Sequence, residues 1–271
     1  MRPFTIYLAA DSTVQTFQKK EEPQMGWGQK LYEYFKGSEA CRIYHPDTTS
    51  FEQVTKYDLP DVSIDNRAMA GRSSRSFREE GRLKDIEKVI QPGDFMFIQF
   101  AHNDANKGKE ERYVPVERYG ESLKTYADVC RAHGAQCVLV TAIAMRNCEE
   151  NAEGKFTYSF PEYRDAMIAF AREENLPLLD LGKRTTQYCQ SLGSEGCKDI
   201  FLWVKPGEYP ESSHRDGKQD NAHLKAHGAK VFAGLLADLI REYDADERLK
   251  PIQDLLKGKN NDEADCGHSL D

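Results

Sequence analysis

Residues 4–13 read Phe4-Thr5-Ile6-Tyr7-Leu8-Ala9-Ala10-Asp11-Ser12-Thr13. The apolar run at residues 4–9 has the length and composition of a strand buried on both faces, as strands of parallel sheets are. It stops at Asp11-Ser12-Thr13, so a serine hydroxyl stands at the strand's carboxyl end, beside a turn. The same alternation runs on through the chain. Residues 62–66, 94–100 (bounded by Pro92-Gly93), 137–142 and 178–181 read as four more strands, with residues 11–25 as a loop and 37–60 as a polar, irregular segment. Helical spacing covers residues 27–35, 81–90, 116–133, 163–175 and 224–243. Apolar runs alternating with helices predict an α/β fold with a mostly parallel sheet covered on both faces. In such sheets, reactive residues gather in loops beyond the strands' carboxyl ends.

The 271 residues carry 37 Lys+Arg against 45 Asp+Glu, a net charge of −8, which argues against nucleic acid as a partner. No apolar stretch approaches the roughly 18 residues of a membrane span, and no repeat or interdomain linker is visible. The reading is one domain over residues 1–257 and a polar, loosely ordered tail over 258–271. Residues 1–10 lack the charged, hydrophobic and cleavage regions of a signal peptide, so the chain reads as cytoplasmic, or as secreted if a signal has been removed. Seven cysteines, an odd number, suit reduced thiols, with Cys189 and Cys197 as a pair that oxidation could close. No Cys-x-x-Cys pair offers a structural zinc site.

Ser12 needs a base, and without one it suits a cap or a turn equally well. Gln219-Asp220-Asn221-Ala222-His223-Leu224 precedes the last helical stretch. Three-residue spacing in a helical turn puts Asp220 and His223 on one side. Asp220 would hold one imidazole nitrogen while the other takes the Ser12 proton, the division of labour of an acyl-transfer triad. The plainer alternative is a helix start with Asp220 as cap and His223 on the surface. Gly71, after the second strand, lets a backbone N–H approach a reacting group closely, and Asn103, after the third, offers a side-chain amide. Singly each suits a turn; placed after successive strands they suit an oxyanion hole.

In order, Asp11-Ser12-Thr13, Gly71, Asn103-Asp104 and Asp220-x-x-His223 resemble the four blocks of the SGNH (GDSL) hydrolase superfamily. Within it the chain is similar to rhamnogalacturonan acetylesterases of carbohydrate esterase family 12. The features that carry this are Gly26-Trp27-Gly28, the run from Asn66 through Arg67, Gly71, Arg72 and Arg75 to Phe77, Glu80-Gly81-Arg82, Pro92-Gly93-Asp94 and His102-Asn103-Asp104. The resemblance spans residues 4–243. It implies a flavodoxin-like three-layer α/β/α sandwich around a five-stranded sheet. Ser12 would be the nucleophile, His223 the general base and acid, and Asp220 its orienting carboxylate. The Ser12 N–H, Gly71 N–H and Asn103 amide would form the oxyanion hole. The implied activity removes O-acetyl groups from plant cell-wall saccharides, foremost pectin fragments of the rhamnogalacturonan type, with no metal or organic cofactor. Ala10 and Ala101 stand where the family has glycine.

Other readings are weaker. His223 and His227 are four apart like two zinc ligands, yet Leu224 occupies the place of the catalytic glutamate of such a motif. Arg67, Arg72, Arg75, Arg78 and Arg82 form a basic cluster whose default reading is a solvated face; its alternative is recognition of a uronate sugar by Arg72 and Arg75. Trp27, His102 and Tyr113 are further candidate sugar contacts, although an aromatic also suits core packing. An acetylxylan esterase, an esterase or thioesterase for lipid-like acyl chains, and an inactive carbohydrate-binding domain complete the alternatives.

Overall fold

The computed structural model describes residues 3–146 and 156–259; Cys148, Cys266 and the tail from residue 260 onward lie outside them. The strands are β1 (Phe4–Ala10), β2 (Arg42–Tyr44), β3 (Thr55–Asp58), β4 (Val62–Asn66), β5 (Phe95–Gln99), β6 (Gln136–Val140), β7 (Leu178–Leu179), β8 (Phe201–Val204) and β9 (Lys218–Leu224). The helices are α1 (Ser74–Glu79), α2 (Arg82–Glu87), α3 (Tyr119–Ala132), α4 (Pro161–Glu173), α5 (Leu181–Gly196, kinked at Gly193), α6 (Ala226–Glu242) and α7 (Lys250–Gln253).

The central sheet has seven strands in the order β2-β3-β4-β1-β5-β6-β7. The five expected strands are its parallel part, in the flavodoxin-like arrangement. The two others, β2 and β3, add an antiparallel edge within the segment expected to be irregular. Side chains of β1 alternate between two cores. Ile6, Leu8 and Ala10 pack with Leu181 of α5, Phe232 and Leu236 of α6, and Ile252 of α7. Tyr7 and Ala9 pack on the other face with Phe77 of α1, Ile86 of α2, Leu123 of α3 and Met167 of α4. That is a sheet between two helical layers.

One local expectation is corrected. Residues 27–35 form two short 3-10 segments, Trp27–Gln29 and Leu31–Tyr34, instead of an α-helix. Gly26 and Gly28 press against the backbone of Val14 and Gln15, where a Cβ would fall 2.4–2.5 Å from main-chain atoms, so the segment is moulded to the β1 loop. The cysteines at 41, 130, 137, 189 and 197 form no disulfide, as reduced thiols should, and Cys197 Sγ donates to the Cys189 carbonyl at 3.4 Å.

The chain passes from β1 to β4 on one side and then crosses β1 to β5 on the other, so a crevice opens at the carboxyl end of β1. Outside the sheet, β8 and β9 form an antiparallel ribbon. It is fastened to the loop after β1 by a bridge between Gln24 and Lys225 and by the Met25 N–H on the Leu224 carbonyl at 3.0 Å. The chain's first strand and its last quarter therefore meet at the crevice.

Candidate active site

Ser12 lies in the turn that leaves β1, where the Val14 and Gln15 N–H groups both donate to the Asp11 carbonyl at 3.2 Å. Asp11 is wholly buried, and its Oδ1 accepts from the Thr13 N–H (2.9 Å) and the Thr13 hydroxyl (2.8 Å). The chain of bonds continues inward, from Gln99 Nε2 to Thr13 Oγ1 at 2.8 Å and from Trp27 Nε1 to Gln99 Oε1 at 3.0 Å. The turn that carries Ser12 thus rests on a buried hydrogen-bonded network through Asp11 Oδ1, Thr13, Gln99 and Trp27, which fixes its geometry. Burial pushes the Asp11 carboxyl up, but the facing His102 and the Thr13 donors outweigh it and hold it below the usual carboxylate range.

His223 Nε2 stands 3.0 Å from Ser12 Oγ, and its Nδ1 stands 2.8 Å from Asp220 Oδ2. The other carboxylate oxygen of Asp220 accepts from the Ala222 N–H (2.8 Å) and the His223 N–H (3.0 Å). Burial raises the Asp220 carboxyl, yet the His223 hydrogen bond, its charge and the two backbone donors prevail, holding Asp220 far below the usual range and ionised at neutral pH.

The pair comes together for a different reason from the one expected, because both residues belong to β9, not to a helical turn. Phe201 pairs with Leu224 and Trp203 with Gln219, so Asp220 to His223 bulge out opposite Leu202 alone. Asn221 anchors the bulge from behind. Its carbonyl accepts from the Arg146 N–H at 2.7 Å, and its Oδ1 accepts from Trp203 Nε1 at 2.9 Å and Arg146 Nη1 at 3.3 Å. The Arg146 guanidinium lies 4.4 Å over the Trp203 ring. Asn221→Ala should therefore lower kcat about tenfold or more with little change in KM, since small displacements of a catalytic group are costly. Steady-state kinetics check this, and an unchanged kcat would show that the bulge holds itself.

Gly71 follows β4 with φ +78°, a backbone region that favours glycine. Among the described residues, neither the Ser12 N–H nor the Gly71 N–H donates to a protein acceptor. Asn103 Nδ2 donates to the Arg72 carbonyl at 3.0 Å, which occupies one of its two amide hydrogens. Asp104 stitches the same two loops together, because its Oδ1 accepts from the Ser74 N–H (3.0 Å) and hydroxyl (2.5 Å). Burial pushes the Asp104 carboxyl up to about 7, against the pull of these bonds. Ala101, at φ +149°, occupies backbone space where glycine is at ease.

Not all expected sugar contacts line the crevice. Trp27 is 1% exposed with its indole N–H spent on Gln99, so it is core, as a buried indole with a satisfied donor should be. The His102 side chain is 9% exposed, faces Asp11 across 3.4 Å and packs edge-on against Phe160. Arg72 is held by the Glu80 carboxylate at 2.9 and 3.0 Å and by the Ala70 carbonyl at 2.7 Å. Arg75 is turned to the Glu110 carbonyl, with Glu79 at 3.7 Å. The basic cluster is not a solvated face: Arg67 and Arg82 are buried, Arg67 between Asp65 and Asp85, and Arg82 beside Glu80. His227 faces Asp199 at 3.7 Å, while His223 is engaged by Asp220 and Ser12.

The sequence profile of the GDSL-like lipase/acylhydrolase family matches residues 7–236. The chain belongs to this family. As a GDSL-family member with the SGNH fold it is a carboxylic ester hydrolase. Among GDSL relatives, it is 34% identical over 241 residues to the rhamnogalacturonan acetylesterase RhgT of Bacillus subtilis, covering 89% of this chain and 91% of that protein. It is 37% identical over 239 residues to the Bacillus subtilis protein YesY, named a probable rhamnogalacturonan acetylesterase, covering 88% and 92%. The crystal structure of Bacillus subtilis YxiM superposes with a TM-score of 0.68 at 26% identity, over 89% of this chain and 57% of that one. The chain thus spans a little over half of the YxiM chain.

Arg146, Trp203 and Asn221 were missed in the sequence. Their signal is a contact between residues far apart in the chain, which no local pattern carries.

Proposed function

We propose that this protein is a carbohydrate acetylesterase that removes O-acetyl groups from saccharides of the rhamnogalacturonan type through a Ser12-His223-Asp220 triad. The observation that carries the reading is the 3.0 Å approach of His223 Nε2 to Ser12 Oγ, with Asp220 on the other ring nitrogen. Names of relatives sharing about nine-tenths of their length support the substrate class.

Ser12 Oγ attacks the acetyl carbonyl as His223 Nε2 takes its proton, and Asp220 stabilises the imidazolium. The oxyanion faces the Ser12 N–H, the Gly71 N–H and the second Asn103 amide hydrogen, each worth about 3 kcal/mol of barrier. The intermediate collapses and the sugar hydroxyl leaves with the proton from His223. Water then attacks the acetyl-enzyme, His223 taking its proton, and acetate departs as Ser12 regains its hydrogen. Among the described residues no helix is long and apolar enough to cross a membrane.

The test is acetate release from acetylated rhamnogalacturonan oligosaccharides, with acetylated xylo-oligosaccharides and an octanoyl nitrophenyl ester as competitors. We expect kcat/KM on the first to exceed the others by about tenfold or more, the discrimination a shaped pocket provides. An equal or higher value on the octanoyl ester would overturn the substrate class.

A further inference from the structure

Arg112 lies in the long loop between β5 and α3, in a turn where its N–H donates to the Lys109 carbonyl at 3.0 Å. Its Nη1 donates to the Gly71 carbonyl at 3.2 Å and stands 3.3 Å from where a Cβ on Gly71 would be. The guanidinium is therefore held against the glycine assigned above to the oxyanion hole. What separates it from Arg67, Arg72, Arg75 and Arg82 is its charge balance. Arg67 has Asp65 and Asp85, Arg72 and Arg82 share Glu80, and Arg75 has Glu79. Among the described residues Arg112 has no carboxylate partner, and its buried Nε–H has no acceptor. A guanidinium is a planar fork of donors matched to a carboxylate, and one kept unneutralised beside a reaction centre is poised for an anionic ligand.

We propose that Arg112 binds the uronate carboxylate of the acetylated saccharide, and so selects acidic over neutral acetylated sugars. This rests on the acetylesterase reading above and extends it. A galacturonan unit carries its carboxylate on the same ring as its hydroxyls, so an acetyl group seated at Ser12 brings an acid group to the rim of the crevice. Arg112 reaches that rim through Gly71, whereas Arg72 and Arg75 are spent on protein acceptors.

The decisive quantity is the ratio of kcat/KM for an acetylated oligouronate to that for its uronate methyl ester. It is measured for the wild-type protein, Arg112→Met and Arg112→Lys. Because it is a ratio within each variant, it does not depend on how much of the variant folds. The wild-type protein should prefer the free acid by about 10- to 100-fold, the worth of a charged hydrogen bond. That preference should reside in KM, since the carboxylate is bound equally in the ground and transition states. Arg112→Met should bring the ratio to within about twofold of unity, and Arg112→Lys, a point charge without the fork, should fall between. A wild-type enzyme indifferent to esterification, or an Arg112→Met variant with the wild-type ratio, would overturn the assignment of Arg112 alone. Acetate released from neither saccharide would overturn the acetylesterase reading and this one with it.

Discussion

Ser12→Ala should lower kcat for acetate release by about 10⁴-fold or more while leaving the fold intact, because it deletes one hydroxyl from a turn held by other bonds. Those bonds are the backbone pair on the Asp11 carbonyl and the Asp11-Thr13-Gln99-Trp27 network, none of which uses Ser12 Oγ. His223→Ala should cost about as much, and the double variant little more than either single one, since residues acting as a unit are not additive. Asp220→Asn should cost less than Ser12→Ala: it keeps the shape but places an amide where the carboxylate stabilises the imidazolium. Rates of acetate release, with circular dichroism to confirm the fold, decide the matter. A Ser12→Ala enzyme retaining more than about a hundredth of the rate would displace Ser12 as nucleophile.

The largest loss of stability is expected at Arg67→Met. The Arg67 side chain is 2% exposed; its Nε and Nη2 grip Asp65 at 2.7 and 2.9 Å, and its Nη1 meets Asp85 at 2.6 Å. Removing the cation leaves buried Asp65 without its ion-pair partner and Asp85 with only the exposed Lys88 ammonium at 3.4 Å, which costs about 3–5 kcal/mol. For a chain of this size that is roughly a 10 °C fall in Tm. The loss matters to function because Arg67 directly precedes the loop that carries Gly71, and its N–H is bonded to the Leu8 carbonyl of β1 at 3.1 Å. If unpaired charge is the cause, adding Asp65→Asn and Asp85→Asn to Arg67→Met should recover part of the loss. The exposed pair of Arg42 and Asp58 is the control, and Arg42→Met should leave Tm unchanged. An Arg67→Met protein melting within about 2 °C of wild type would refute the argument.

β1, β5 and β6 were legible as mostly apolar runs buried on both faces: every residue of β5 is buried, as are β1 from Thr5 on and β6 from Cys137 on, whereas β4 buries Ser63, Asp65 and Asn66 beside only two apolar residues. The antiparallel edge was not, since all three residues of β2 are exposed and no hydrophobic period marks them. Apolar residues three and four apart along 27–35 fit an α-helix and a 3-10 segment equally well; the close seating of Gly26 and Gly28 on Val14 decided between them. Asp220 and His223 were found by spacing, although the spacing works through a strand bulge. The arginine cluster reads as a solvated face because composition does not reveal that its two buried members meet carboxylates, Arg67 with Asp65 and Asp85 and Arg82 with Glu80. Arg146 could not be found locally at all, for its partner Asn221 is 75 positions away.

The separation of 211 positions between Ser12 and His223 also sets an order of events during synthesis. The serine leaves the ribosome first, and the imidazole follows only after a further 211 residues have been made. Until β9 closes against the Gln24-Met25 loop, the nascent polypeptide has no base beside its serine and cannot cleave esters by this chemistry. On the triad proposed above, onset of hydrolysis would be a clock for the docking of β9, and a polypeptide truncated before Lys218 should stay silent however well the rest of it has assembled.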